Sequence, residues 1–287
     1  MRVHQMRDIL AGARGPNFRL SLSAMPNKTR PLLQTAWANL HRPCDVMVFS
    51  KHTLLSVSPK VIEILKDKGI RLVFDHVDAD MANSPLTGAD CHMASSLGQL
   101  RWLETALGHS DKCHLVHHAY DTRLDKIRMT RKDRFSTIYC GSRGALHLPP
   151  ELTNDVDIRF VHSSADMERT IPDLGKFAMH YAVRNDEAVQ PNVFRPFTKG
   201  FTAAACGSII LAHRHTNDAA NILGADYPYF CATLDDSDIV NAFDRAKFDF
   251  GLSDWHDAQE RMRVAAKLVT PAALRAQFIE LIEKALS

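Results

Sequence analysis

No apolar run in the sequence comes near the roughly 20 residues that a membrane-spanning helix needs. The opening residues, Met-Arg-Val-His-Gln-Met-Arg-Asp-Ile-Leu, are too polar for a secretory signal. A soluble, cytoplasmic protein is the expectation. An excess of either charge is also missing. The chain carries 35 basic and 33 acidic residues, a formal net charge of +2. That balance demands neither nucleic acid nor an anionic membrane as partner, although it leaves room for local basic patches. The six cysteines, Cys44, Cys91, Cys113, Cys140, Cys206 and Cys231, form no C-x-x-C pair. Most lie beside strand-like apolar runs, so they read as small buried residues of a reducing compartment rather than as disulfides or a zinc site. Internal repeats at solenoid spacing and low-complexity segments are lacking as well.

What is present is an alternation of buried strands and helices. With 287 residues, 45% of them hydrophobic, the chain can build one large or two modest cores. Residues 3–12 and 30–40 read as helices, and Phe18-Arg-Leu-Ser-Leu-Ser23 as an alternating strand. Asp45-Val-Met-Val-Phe49, a helix over 59–68 ended by Gly69, and Ile70-Arg-Leu-Val-Phe74 make a βαβ unit, which implies a parallel sheet. Ala89–Ala94, a helix capped by Ser95-Ser96 and reaching Leu107, and Cys113–His117 repeat the pattern. The charged stretch Arg123–Arg134 has no apolar core and reads as a crossing between domains. A second series follows. Its strands are Ser136–Cys140, Asp157–Val161, Lys176–Tyr181, Ser208–Ala212 and Tyr227–Cys231, and its helices cover 216–223 and 236–247. Two amphipathic helices, 254–268 and 271–286, close the chain. The last carries the stripe Leu274, Phe278, Leu281, Ile282 and Leu286. The expected domains are 1–127 and 128–287.

Ligands of such sheets bind beyond the carboxyl ends of the strands, so the residues there are the candidates. Asp75 and His76 follow one first-half strand, and His118 and Asp121 another. In the second half, Arg143 stands in a glycine-flanked loop and Arg184 ends a strand. Thr198, as N-cap, and Lys199 open a short alanine-rich helix that Gly207 ends. A helix N-terminus presents unpaired N–H groups and about half a positive charge. Together with two or three cations it suits a diphosphate, whose charge grows as a glycosyl phosphate bond breaks. A histidine with a pKa near neutrality suits a general base, which places Asp75 and His76 as the catalytic candidates.

The second half resembles the nucleotide-sugar-binding domain of GT-B glycosyltransferases, especially the group-1-like bacterial enzymes of surface polysaccharide pathways. The pieces that carry the resemblance are Tyr139-Cys-Gly141, Arg195-Pro-Phe-Thr-Lys199, and Thr202-Ala-Ala-Ala-Cys-Gly207 followed by Ser-Ile-Ile-Leu211. First-half pieces fall in the order such enzymes show: Asp45–Phe49, Val73-Phe-Asp75 with Asp78 and Asp80, Ala89-Asp90 with Ser95-Ser96, and His118-Ala-Tyr-Asp121. The resemblance spans roughly residues 3–270. It implies an α/β fold of two Rossmann-like domains facing a cleft, with the C-terminal helices packing back. It also implies sugar transfer from a nucleotide-sugar donor to a saccharide or lipid-linked saccharide. Arg143, Arg184, Thr198 and Lys199 would hold the donor diphosphate, with no cofactor and no metal. Nucleic acid is not an implied partner, whereas a lipid-linked acceptor implies peripheral contact with a membrane.

Two departures accompany it. Thr202 stands where a ribose-binding glutamate is common, and residues 191–201 contain no acid where a second glutamate often touches the sugar. The chain also opens at what corresponds to the first helix rather than at a strand and glycine-rich turn, which suggests a shortened start or a minimal first domain. A non-catalytic binding subunit of the same fold, or a nucleotide-sugar epimerase, is the alternative. Asp78-Ala-Asp80 raises a metal-binding D-x-D reading of the GT-A type, which the paired βα series argues against.

Overall fold

The structure, a computed structural model, describes residues 2–11, 19–127, 130–185, 192–216 and 218–287. It divides into two compact units. The first comprises Met1–His118, Pro191–Pro196 and Pro271–Ser287, and the second Ala119–Gln190 and Phe197–Thr270. The units therefore exchange at 118/119 rather than 127/128. The final helix belongs to the first unit, not to the second half of the chain. Among the described residues no helix is long and apolar enough to cross a membrane.

In the first unit α1 (Arg2–Ala11) and α2 (Pro31–Leu40) precede a parallel sheet of four strands: β1 (Val46–Phe49), β2 (Arg71–Asp75), β3 (Cys91–Ala94) and β4 (Cys113–Leu115). The strands lie side by side in chain order, each paired with the next. Between β1 and β2 run α3 (Lys51–Leu54) and α4 (Pro59–Asp67), and α5 (Leu97–Leu107) joins β3 to β4. Local chemistry sets the ends of these helices. Ser58 accepts a hydrogen bond from the Val61 N–H, with Pro59 in the first turn of α4. Ser96 does the same for Gln99, and Gly108 ends α5 in the left-handed conformation at φ 67°.

Strands β2 and β3 are buried along nearly their whole length, so both faces of the sheet must be covered. Phe74, His92 and Cys113 stand in one row of the register. Phe74 packs with Val61 and Leu65 of α4, and Cys113 with Leu103 of α5. The next row, Asp75, Met93 and His114, points the other way, where His114 meets Glu280 at 3.7 Å. Glu280 lies on α11 (Pro271–Leu286), whose stripe Leu274, Phe278, Leu281 and Ala285 is buried. Its Lys284 donates to the carbonyls of Ser110 and Cys113 at 2.9 and 2.7 Å, and Gln277 accepts the His117 N–H. Residues 19–23 are irregular, with Leu20 and Leu22 exposed. Their alternation has no buried face to occupy, so the expected strand does not form, and its first residue, Phe18, lies outside the described residues.

The second unit holds five parallel strands: β5 (Thr137–Gly141), β6 (Val156–Phe160), β7 (Met179–Tyr181), β8 (Ile209–His213) and β9 (Phe230–Cys231). Their order is β6-β5-β7-β8-β9. The connecting and flanking helices are α6 (Ser164–Leu174), α7 (Thr198–Ala205), α8 (Ala219–Leu223), α9 (Asp236–Phe248) and α10 (Ser253–Lys267). Sequence reading passes over α6, although its start is a capping box: the Ser163 hydroxyl accepts from the Asp166 N–H and the Asp166 carboxylate from the Ser163 N–H. Pro172, inside the helix, masks the signal. The stretch Arg123–Arg134 holds a short 3-10 helix, Thr122–Lys126, and belongs to the second unit. All six cysteines are free thiols, and Cys91, Cys113, Cys206 and Cys231 are buried.

If α11 supplies one whole face of the first core, Leu281→Ala should destabilise that unit by about 2–5 kcal/mol. Ile279→Ala, on the outward side of the same helix, should change stability by less than about 0.5 kcal/mol. Differential scanning calorimetry of the two variants checks this.

Candidate functional site

Strand order alone marks a place in the second unit. The chain goes from β5 outward to β6 and then returns to the opposite side of β5 for β7. Loops leaving β5 and β7 thus diverge, and a crevice opens between them at the carboxyl ends of the strands. In open parallel sheets, the order 2-1-3-4-5 included, this reversal is where ligands bind. The loop after β5 is Gly141–Ala145, ending in a 3-10 turn, Arg143–Ala145. The segment after β7 carries Arg184 and Asn185, and the Asn185 side chain donates to the Gly144 carbonyl at 2.9 Å, tying the two loops together.

Lys199 is aimed at this place. Its ammonium lies 4.0 Å from the centroid of the Tyr139 ring, a cation–π contact. The nitrogen is shielded from solvent and has no hydrogen-bond partner among the described residues. Its pKa is lowered from 10.5 to about 7, first by burial and then by the nearby Arg184, with the Cys140 thiol opposing. Tyr139 is fixed in turn, donating its hydroxyl to the Ser142 carbonyl at 2.6 Å. Burial raises its phenol to about 12, so it stays neutral. Gly141 is required at this spot: a Cβ there would stand 2.8 Å from the Tyr139 hydroxyl and 3.0 Å from the Lys199 nitrogen.

Helix α7 delivers the lysine. Its N-cap is Phe197, not Thr198, and no side chain caps it. Thr198 is the first helical residue, so the orphan N–H groups of the first turn are those of Thr198, Lys199 and Gly200, before the first helical bond from Phe201 N–H to Phe197 O. The Phe197 ring lies against Gly200 so closely that a Cβ would fall 1.9 Å from it. Ala203 and Ala204 are buried, which lets α7 approach the sheet. The Thr202 hydroxyl donates to the Thr198 carbonyl at 2.8 Å and is spent within the helix.

The four second-half candidates are not equivalent. Arg184 and Lys199 interact electrostatically and share Tyr139 as neighbour. Thr198 opens the same helix turn. Arg143 is exposed and lies 4.6 Å over the Phe160 ring, on the β6 side of the loop. Tyr139, quoted from the sequence only as part of Tyr139-Cys-Gly141, was not among the site candidates. The signal was its place two residues before Gly141 on the same strand, which sends its ring to the face where Gly141 leaves room.

The first-unit candidates need correction. Asp75 is 2% exposed and accepts the Val77 N–H at 3.2 Å, closing a turn after β2. His76 is fully buried, with both ring nitrogens engaged: Nδ1 with the Ser84 hydroxyl at 2.8 Å and Nε2 with His92 Nδ1 at 2.9 Å. Its carbonyl accepts from Gln99 Nε2 at 2.7 Å. Burial, and then the neighbouring His92, lowers the His76 pKa to about 3, and burial takes His92 to about 4. An imidazole without a free nitrogen or access to solvent is a neutral structural link, not a general base. Strand order agrees, because the described strands of this sheet run 1-2-3-4 without a reversal. In Asp78-Ala-Asp80, both Asp80 oxygens accept from its own turn, from the Ala82 N–H and the Asn83 side chain.

The histidine pair sets a pH limit on the first unit. Both folded pKa values lie below the unfolded value of about 6.5, so below that pH the unfolded chain binds more protons and stability falls as pH falls. Between pH 6.5 and pH 5 the loss should reach about 2–4 kcal/mol for the two rings together. Replacing both by glutamine should flatten the dependence, as measured by urea denaturation across that range.

No family model matches the sequence, and no curated protein matches it. Solved structures do. HepE of Anabaena, crystallised in complex with UDP, superposes with a TM-score of 0.63 at 12% identity, over 88% of this chain and 81% of that one. AviGT4, a glycosyltransferase involved in avilamycin A biosynthesis, gives 0.62 at 16% identity, over 99% and 88% of the two chains. A glycosyltransferase from Rickettsia africae gives 0.61 at 9%, over 94% and 85%. At these identities the likeness is one of fold, and it agrees with the two parallel-sheet units described above: the chain has the GT-B glycosyltransferase fold.

Proposed function

We propose that this protein transfers a sugar from a nucleotide-sugar donor to a saccharide or lipid-linked saccharide, with the donor diphosphate held in the second unit. The observation that carries the reading is the Lys199 ammonium, kept from water at the strand-order reversal with no hydrogen-bond acceptor among the described residues. Burying such a group costs free energy unless a partner is supplied. A phosphate oxygen is the partner that suits it, with Arg184 and the N–H groups at the start of α7 beside it. Cleavage of the anomeric C–O bond leaves its electron pair on the departing diphosphate. Positive groups already in place would stabilise that charge without reorganising, taking the part a divalent cation has in metal-dependent transferases. Arg143 stands at the rim of the same loop and would meet the donor last. The fold of the crystallised glycosyltransferases supports the reaction class, and HepE's complex with UDP supports the ligand class.

Calorimetric titration with UDP, GDP, ADP and dTDP tests the site. Lys199→Ala should weaken the diphosphate that binds the parent by about tenfold to a hundredfold, the range of a lost charge-assisted hydrogen bond. Equal affinity in parent and variant would remove the assignment. The pKa near 7 adds a signature. At pH 8 the free lysine is mostly neutral and the bound one protonated, so binding should take up close to one proton, read from the buffer dependence of the heat. Lys199→Arg, charged at all these pH values, should show none.

The same pKa fixes the sign for stability. The unfolded lysine holds its proton up to about pH 10.4 and the folded one only to about 7, so folding gains from rising pH across that window and carries the buried charge below it. Lys199→Met should raise the melting temperature of the free protein at pH 6.5, by roughly 2–4 °C per kcal/mol recovered, while losing diphosphate binding.

A further inference from the structure

A buried amine without an acceptor can be relieved in two ways. A ligand can bring the acceptor, or the amine can give up its proton and react. The Lys199 nitrogen is equipped for the second route as well as the first. It is shielded from solvent and has no hydrogen-bond partner among the described residues. The titratable groups around it are Arg184 after β7, Tyr139 and Cys140 on β5, and His180 on β7. Burial raises the Tyr139 phenol to about 12, raises the Cys140 thiol and lowers His180 to about 4. All three are therefore uncharged near pH 8. The charged neighbour that remains among them is a cation, Arg184, and no carboxylate is among the groups that act on the amine.

An ordinary lysine offers little nucleophile at that pH, since only about one in 250 is neutral at a pKa of about 10.4. Lys199, lowered to about 7, is mostly free amine. Room is present too. A Cβ on Gly141 would stand 3.0 Å from the nitrogen, so the glycine keeps open the space next to it. The donors of the site are the Arg184 guanidinium and the first N–H groups of α7, which have no acceptor within the helix. Such a set stabilises an adduct that turns the amine into an anion.

We propose that Lys199 is a site of reversible carbamylation by carbon dioxide in the nucleotide-free protein, with the carbamate standing where a phosphate of the donor would. The amine lone pair attacks the carbon of CO2, and an N–C bond forms. The electron pair of one C–O π bond moves onto oxygen, and a nitrogen proton passes to water, leaving –NH–COO⁻ and one released proton. Donors that face a cation in the free amine's protonated form then face two carboxylate-like oxygens. Carbon dioxide is small and uncharged, so it reaches a shielded nitrogen without the desolvation cost that a hydrated anion carries. Carbamate and donor diphosphate exclude each other, because one occupies the nitrogen that the other needs as an ammonium. The modification itself rests on the lysine alone, and its competition with nucleotide rests on the donor reading.

The full chain, equilibrated with carbon-13-labelled CO2 at pH 8, tests it. A carbamate resonance distinct from bicarbonate is expected in the carbon-13 NMR spectrum. Alkylation with triethyloxonium, followed by peptide mass spectrometry, should place an ethoxycarbonyl group on Lys199. Lys199→Arg and Lys199→Met should lose both signals. At a fixed, sub-saturating level of dissolved CO2, the signal should fall about tenfold or more from pH 8 to pH 6, as the amine takes up its proton. The nucleoside diphosphate that binds the parent should erase the carbamate at saturation. In CO2-saturated buffer its own affinity should drop about twofold or more, the effect of a competitor present at its dissociation constant. No adduct on Lys199 overturns the proposal, as does an adduct no more abundant there than on the exposed Lys60 and Lys66. Diphosphate binding that depends on Lys199, with no carbamate, sinks this proposal and leaves the donor reading intact. A carbamate in a protein that binds no nucleotide upholds the modification and removes the donor reading.

Discussion

An ammonium kept from water, resting on a tyrosine ring at the end of a parallel strand, is the constraint around which the second unit is arranged. Water would stabilise the Lys199 charge far better than the Tyr139 quadrupole does, and burial, followed by the nearby Arg184, lowers its pKa to about 7. Each neighbour serves to hold the geometry. Gly141 leaves room where any side chain would collide, Tyr139 is anchored to Ser142, and Asn185 ties the β7 segment to the β5 loop. Helix α7 approaches the sheet on the small buried residues Ala203 and Ala204, and Gly200 leaves room for the Phe197 ring. Buried groups with perturbed charge of this kind mark candidate functional places.

The two units show how topology decides where chemistry can gather. Both are parallel sheets with polar residues at their carboxyl ends. In the second, the reversal between β5 and β7 separates two loops and gives Arg184 and Lys199 a common space. In the first, consecutive strands follow one another without a reversal. The residues after β2 are absorbed into the turn and the layer beneath it. Ser84, His76, His92 and Gln99 there form a connected set of hydrogen bonds. The polar groups are similar in kind, but among the described residues the Lys199 ammonium at the reversal has no hydrogen-bond partner, whereas His76 and His92 bond each other.

Much of the fold was legible in the sequence because buried parallel strands are continuous apolar runs and glycines punctuate them. Ile70–Phe74 ended by Asp75, and the Gly207 turn before Ile209, are examples. The helix over 164–174 was not legible, since Pro172 sits where a helix is usually broken. Nor could sequence assign α11 to the first unit, because its stripe specifies that a face is buried and not which sheet buries it. The candidate site was half legible. Lys199 and Arg184 follow from their places at element ends. His76 failed for a physical reason: a histidine after a strand has the same local signature whether it faces a crevice or the core, and His92, sixteen residues away, decides which.

The unpaired lysine and helix α2, which buries Gln34 and Ala38 and exposes Leu32 and Leu40, share one logic. Each opposes a rule that the rest of the chain obeys: charges in water, leucines inside. A sequence that folds by local consistency tolerates such violations where the surrounding bonds over-determine them. For Lys199 those bonds are the Tyr139 anchor and the packing of α7. For α2 they are the Gln34 bonds to the Pro26 and Ser56 carbonyls and the Lys68 cap on those of Ala38 and Asn39, which hold the leucines outward against their own hydrophobicity. The core residues explain why the chain folds. These two exceptions, each held by its own neighbours, are what the core does not account for.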